Sequence, residues 1–310
     1  MPLEQILNRN EIVCFLIVNY IPYLPPISIG SCLTATDCSI VIGYVNEDDL
    51  RDIPASPRIT RLDLREIAGC RTILGQIDSG MYRHFGTQDF FNLVQLKWYL
   101  FLELMCAGFQ RIIYSDIDTV WVQDAVAITN VKNANFFVQI QDVTVDMRNP
   151  RLCMGFVSIV NNPTTFKMIE ICAQENERRL LTGEQIGDDD IISDYYRDQG
   201  YPNWIQTLPQ LAFPTGNMLT QYISKPAFRP VEPPKPIIFH ANYIIGQKNK
   251  AIVLERFSNR LHLRTAFELS LGEKLILKFS FFMVRVKFWA NRFKRVLNRT
   301  FFSRSSLKAK

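Results

Sequence analysis

The run Ile12–Val18 is apolar at all seven positions and carries no alternation of polar and apolar residues. A strand of that kind must be covered on both faces, which is the pattern of a parallel sheet between layers of helices. Two more stretches, Cys38–Val45 and Phe109–Tyr114, read the same way, and Arg58–Leu64 is a further strand. Between them Phe90–Ala107 places Phe91, Val94, Leu100 and Leu104 at helical spacing and stops at Gly108. Strand–helix–strand alternation of this kind predicts a doubly wound α/β sheet. Pro25–Thr34 reads as a short helix or loop. Later strands are expected at Asn135–Ile140, Met154–Val160 and Pro236–His240, with helices at Pro163–Arg179 and near Asp190–Arg197 and a proline-rich loop over Pro226–Pro236.

Charge divides the chain unevenly. Of 35 Lys and Arg residues, eleven lie in 271–310 beside one acid, Glu273, so the preceding body is mildly acidic and the tail strongly basic. The net charge of +5 therefore gives no support to nucleic-acid binding by the body. Seven scattered cysteines, an odd number without a CxxC, predict buried reduced thiols. The polar N-terminus, with Glu4, Arg9 and Glu11, does not read as a secretory signal, and Ile12–Val18 is too short to span a bilayer. The expected location is cytoplasmic, peripheral to the inner membrane surface.

The sharpest motif is Ser115-Asp116-Ile117-Asp118-Thr119-Val120-Trp121, directly after a buried strand. The carboxyl edge of an open α/β sheet is where such folds bind ligands. If the segment is extended, Asp116 and Asp118 share a face and can approach one hard cation, magnesium or manganese. The plain alternative is a solvated Asp-rich turn. The same letters fit the nucleophile loop of haloacid-dehalogenase-type phosphatases, with Asp116 attacking phosphorus, although that loop belongs after the first strand of its domain. A non-catalytic scaffold that binds a ligand or partner without turnover is the third possibility.

The second motif is His240-Ala-Asn-Tyr-Ile-Ile-Gly246-Gln-Lys-Asn-Lys250, again at a strand end. His240 can ligate the same cation as Asp118. Gly246 allows backbone N–H groups to approach a phosphate, and Lys248 or Lys250 brings positive charge in a loop. The alternatives are a buried histidine bonded to backbone and two solvated lysines. Asp188, Asp189 and Asp190 can either serve the site or cap a helix beginning at Ile191.

Taken together, these motifs resemble nucleotide-diphospho-sugar transferases of glycosyltransferase family 77 and relatives, which have a GT-A fold. Lys97, Cys153-Met-Gly155-Phe156, Asp189-Asp190 and Phe213-Pro-Thr-Gly216 follow in the family's order, over roughly residues 85–250. Nearer the N-terminus only a buried strand followed by Asn19-Tyr20 matches. The resemblance implies a Rossmann-like mixed sheet flanked by helices, with a UDP-linked donor and Mn2+ (or Mg2+), and retention at the anomeric carbon. It implies that Asp116 contacts the donor ribose or sugar and the metal. Asp118 and His240 would be metal ligands, and Gly246 and Lys250 would bind the diphosphate. Asn19 and Lys97 would help hold the donor, and Asp189 would lie near the anomeric carbon or acceptor. Asp190 replaces the family's Gln, and Met154 a small polar residue, so acceptor identity does not carry over. The expected division is a catalytic domain over 1–255, its nucleotide-binding half about 1–120 and its acceptor half about 121–255, followed by a tail over 256–310.

Projected at 100° per residue, the tail places Lys274, Lys278, Arg285, Arg292, Arg295 and Arg299 on one face. Leu275, Phe279, Phe282, Val286, Trp289 and Phe293 fall on the neighbouring one. Such a helix is expected to lie on an anionic membrane surface over 274–299, where it would meet a glycan or lipid-linked acceptor; no nucleic-acid partner is expected. The alternative is a helix packed on the domain with a solvated basic face.

Overall fold

The structure, a computed structural model, describes residues 10–18, 23–75, 87–129, 134–141, 150–219 and 236–259, and ten positions of a helical segment within 272–286. Nine strands and eight helices are described in the body: β1 (Glu11–Ile17), α1 (Leu24–Ala35), β2 (Ser39–Tyr44), β3 (Ile59–Asp63), α2 (Ala68–Leu74), α3 (Gln88–Val94), α4 (Leu96–Cys106), β4 (Arg111–Ser115), β5 (Thr119–Trp121), α5 (Ala125–Thr129), β6 (Phe136–Ile140), β7 (Leu152–Val160), α6 (Pro163–Leu181), α7 (Asp188–Asp198), β8 (Ile205–Thr207), β9 (Ile238–His240) and α8 (Gln247–Asn259).

The main sheet has seven strands in the order β3-β2-β1-β4-β7-β6-β8. β3, β2, β1 and β4 are parallel, β7 runs against both β4 and β6, and β8 is parallel to β6. This is the α/β class that the alternation predicts, and the mixed sheet flanked by helices that the resemblance implies. Apolar residues of β1 alternate between the two faces. Ile12 and Cys14 join a core under α2, α3, α4, α6 and α7, while Val13, Phe15 and Ile17 join another that includes Ile29 and Cys32 of α1. Burial on both faces is why these strands show no polar alternation. The chain adds strands on one side of β1 up to β3 and then crosses to place β4 on the other. The carboxyl ends of β1 and β4 therefore flank a topological switch point.

One expected helix is divided in two, and two others form where the sequence places them. Phe90–Ala107 is two helices, because the chain breaks at Gln95, whose backbone caps α4 while Thr87 caps α3 through its hydroxyl. Pro25–Thr34 is helical, with Pro25 and Pro26 in the first turn of α1, where a missing N–H costs nothing. α6 begins at Pro163 behind Asn162, whose Oδ1 accepts from Thr164 N at 2.9 Å and Thr165 N at 3.0 Å. α8 covers Gln247–Asn259. Most of Pro226–Pro236 and most of the tail fall outside the described residues.

Candidate active site

Asp116 and Asp118 do not lie on an extended segment. Thr119 donates to the Asp116 carbonyl from its N–H at 3.2 Å and from its hydroxyl at 2.8 Å, which makes 116–119 a reverse turn between β4 and β5. The two carboxylates converge because the chain turns, not because alternate strand positions share a face. The turn is held from below by buried hydroxyls. Thr119 Oγ1 lies 2.7 Å from Ser115 Oγ and 3.1 Å from Ser28 Oγ of α1, and Trp121 Nε1 donates to Ser115 Oγ at 3.2 Å. Asp116 N donates to Gly155 O at 2.8 Å, tying the turn to β7.

β5 pairs antiparallel with β9, setting Thr119 opposite His240. Ala241 N donates to Asp118 O at 2.8 Å, and His240 N to Pro214 O at 3.1 Å. His240 Nε2 comes within 3.1 Å of Asp118 Oδ1 and 3.6 Å of Asp116 Oδ2. The imidazole lies over β7 at a residue without a side chain: a Cβ on Gly155 would stand 1.9 Å from His240 Cε1. Gly216 allows a second close approach, since a Cβ there would meet Asn242 O at 2.2 Å. The Cys-Met-Gly-Phe and Phe-Pro-Thr-Gly segments thus form the bed on which the histidine rests.

Lys250 is not in a loop. Gly246, with φ of +89°, turns the chain into α8, and Lys250 stands in the first turn with its N–H bonded to Gly246 O at 3.0 Å. Its ammonium donates to Asp118 Oδ2. Burial alone would raise the Asp118 pKa, but Lys250 and His240 outweigh it and hold the carboxylate far below its usual range. Burial would lower the His240 pKa, and Asp118 reverses this, so the imidazole titrates above its usual value.

Lys97 of α4 is buried beneath the turn. Its ammonium bonds Asp188 Oδ2 at 2.5 Å and Met154 O at 3.1 Å, approaches Asp116 Oδ1 at 3.5 Å and sits 4.5 Å from the Tyr114 ring centroid. Desolvation opposes its charge, yet Asp116 and Asp188 keep its pKa above the usual lysine value. Tyr114 OH donates to Asp116 Oδ1 at 2.5 Å. Asp189 Oδ1 accepts from Met154 N at 2.6 Å, and its Oδ2 accepts from Gln141 Nε2 at 3.2 Å. Burial, and then Asp188, push the Asp189 carboxyl up to about 7. The three acids form the first turn of α7, which begins at Asp188 rather than after them; Gly187 is the capping residue.

The structure therefore brings Asp116, Asp118, His240 and Lys250 together, with Lys97 immediately beneath. Asp189 stands nearby on the Met154 backbone, and Asn19 lies outside the described residues. Sequence reasoning missed Tyr114, Gln141 and the role of Asp188 as the partner of Lys97. Strand parity places Tyr114 on the same face as Asp116 and could have found it. Nothing local marks Gln141 or distinguishes Asp188 from its neighbours.

One oxygen from each of Asp116 and Asp118 and one nitrogen of His240 lie within 4.8 Å of one another. Two carboxylates and an imidazole are a donor set for a hard or borderline divalent cation, and Gly155, where any Cβ would stand 1.9 Å from His240 Cε1, leaves the ring the room to hold that nitrogen on the carboxylates. The residues fit a metal.

A model of the nucleotide-diphospho-sugar transferase family matches residues 61–254, more than half of the chain. The chain belongs to that family and is a glycosyltransferase. Its fold is similar to that of the galactosyltransferase LgtC, solved in complex with donor and acceptor sugar analogs. The TM-score is 0.51 at 12% identity, over 86% of this chain and 99% of that one. Mouse xyloside xylosyltransferase 1, solved in the apo form, aligns with a TM-score of 0.48 at 10% identity, over 75% and 98%. No curated protein matches the sequence. The fold is GT-A. The dehalogenase alternative fails on topology as well, because Asp116 follows the fourth strand of its sheet in chain order rather than the first.

Proposed function

We propose that this glycosyltransferase moves a sugar from a UDP-linked donor to a glycan or lipid-linked acceptor, with retention of anomeric configuration and with Mn2+ (or Mg2+) at Asp116, Asp118 and His240. The observation that carries the reading is the convergence of those three side chains with Lys250 at the carboxyl edge of β4. A divalent ion held there would neutralise charge developing on the leaving diphosphate.

The chain's own groups divide the remaining work. Lys250 and the first-turn N–H groups of α8 form a cationic corner beside Asp118, suited to a phosphate. Asp116, oriented by Tyr114 and Lys97, presents a carboxylate to the donor ribose or sugar. Lys97 is too enclosed to reach a donor directly without leaving Asp188, so it serves the donor by fixing Asp116. Asp189, held on the Met154 backbone, is assigned to the anomeric carbon or the acceptor hydroxyl by resemblance. Asn19 is assigned to the donor by resemblance alone.

The tail supports an acceptor at a membrane. Within 272–286, Ser280 is buried, accepting from Ile245 N at 3.1 Å, and Ile276 packs against the body. Leu275, Phe279, Phe282 and Val286 are 58%, 57%, 62% and 45% exposed. The apolar stripe faces outward, away from the domain, with Lys278 exposed beside it. An outward stripe with flanking cations suits an anionic bilayer surface. No described helix is long and apolar enough to cross a membrane.

Thermal melts with nucleotide sugars, with and without Mn2+, test the proposal. A UDP-sugar is expected to raise the melting temperature only with the ion. Donor turnover should disappear in Asp118→Ala. No shift with any nucleotide would overturn the reading. Sedimentation with phosphatidylglycerol vesicles tests the tail, and Phe279→Asp with Phe282→Asp should release the protein from them.

A further inference from the structure

A histidine that binds a cation through one nitrogen must have its other nitrogen satisfied, and that second partner decides which nitrogen keeps the proton. In His240 the nitrogen turned toward Asp116 and Asp118 is Nε2. Nδ1 points the other way, 3.2 Å from Oε1 of Gln139 and 3.6 Å from Cys153 Sγ. Gln139 lies on β6, fully buried. Its Nε2 donates to the Phe213 carbonyl at 3.4 Å. That contact fixes the orientation of the amide, because the reversed amide would set oxygen against a carbonyl that can only accept. Cys153 is not a competing proton acceptor of similar strength: thiol sulfur is a weak one, and here it already receives Asn242 Nδ2 at 3.6 Å.

We propose that Gln139 is the positioning residue of the cation site: its Oε1 accepts the Nδ1–H of His240, so that Nε2 is the nitrogen that gives up its proton and turns a lone pair to a cation held between Asp116 and Asp118. Two packing features enforce the arrangement. Gly155 leaves room for the ring, and Phe213, stacked on Phe156 with centroids 5.5 Å apart, holds the carbonyl that orients Gln139. The Phe-Pro-Thr-Gly segment thereby acts on the site through its backbone. The inference rests on the metal reading above and adds to it a residue that never touches substrate.

The test uses the full chain and Mn2+ alone, without nucleotide. Gln139→Met keeps an unbranched side chain of similar length but removes the acceptor; Gln139→Glu keeps an acceptor. Free Mn2+ measured by electron paramagnetic resonance should show affinity reduced about ten- to a hundredfold in Q139M. Q139E should lie within about threefold of the wild type. In 15N-histidine-labelled, Mg2+-loaded wild type, where the chain has only three histidines, His240 should show a protonated Nδ1 and an unprotonated Nε2. If Q139M does not fold, Q139E and the wild-type spectrum decide. Unchanged Mn2+ affinity in Q139M, or a bare Nδ1 in the wild type, overturns the inference while leaving the metal reading intact. A wild type that binds neither ion overturns the metal reading and this inference with it.

Discussion

The Lys250 ammonium is hydrogen-bonded to Asp118 Oδ2, while His240 Nε2 occupies the same carboxylate's Oδ1 at 3.1 Å. Both oxygens of Asp118 thus have cationic or donor partners, and Lys250 occupies one lone-pair site that a divalent ion would use. Removing it should have opposite effects on two ligands. In Lys250→Met, Mn2+ alone should bind severalfold more tightly, because one competitor for Asp118 is gone. UDP in the presence of Mn2+ should bind about tenfold more weakly, because a charge-assisted bond to phosphate is lost. Calorimetric titration of each ligand checks this; weakening of both would mean that Lys250 holds the site together rather than competing for it.

Gly155 offers a sharper structural test. Its added Cβ would overlap the His240 ring, and β7 is paired on both sides and has little freedom to move away. Gly155→Ala should fold, at a cost of about 1–3 kcal/mol by chemical denaturation. Mn2+ binding and donor turnover should be lost together, because the ring must leave the carboxylates. A variant that binds Mn2+ as the wild type does would show that the histidine is not needed there.

Lys97 is a buried cation shared between Asp188 and Asp116. Taking away one member of a buried ionic group leaves the others uncompensated, at a cost of about 3–5 kcal/mol. Lys97→Met should fall in that range in urea unfolding. The double variant Lys97→Met/Asp188→Asn should recover much of the loss, since one of the stranded charges goes too. Additive losses would mean that the pair is not coupled.

How far the sequence reveals this molecule depends on the range of the interactions. The strands β1, β2 and β4 were legible because burial on both faces writes itself into uninterrupted apolar runs, and α6 because Asn162-Pro163 marks its start. The break at Gln95 was not, since Leu93, Leu96 and Leu100 all continue an apolar pattern across it. The acid pair was legible as residue types but its geometry was not: Asp116-Ile-Asp118 reads equally well as strand or turn, and Thr119, whose hydroxyl closes the turn, has ordinary strand propensity. The bond between His240 and Gln139 spans 101 positions, and that between Lys97 and Asp188 spans 91. Only the folded sheet brings either pair together, and no local pattern marks the glutamine.

Asp189 gives the site a pH dependence whose sign can be worked out. Its carboxyl is pushed up to about 7 from 3.8, first by burial and then by Asp188, with the Met154 N–H and Lys97 opposing. The native state therefore holds a proton that the unfolded chain gives up above about pH 4. The associated stability is complete below 3.8 and is lost as pH rises through 7. Gln141 can accommodate the protonated form, because its buried Oε1 has no partner and turning the amide would present it to the Asp189 hydroxyl. The same turn would receive the amide of an asparagine. In metal-free protein held in chelator, wild type should therefore lose on the order of 2 kcal/mol at this site between pH 5 and 8, whereas Asp189→Asn should not. Melting temperatures of the two proteins should draw apart as pH rises, with the variant the higher at pH 8. Parallel curves would place the Asp189 carboxyl in its ordinary range and remove it as a source of pH sensitivity.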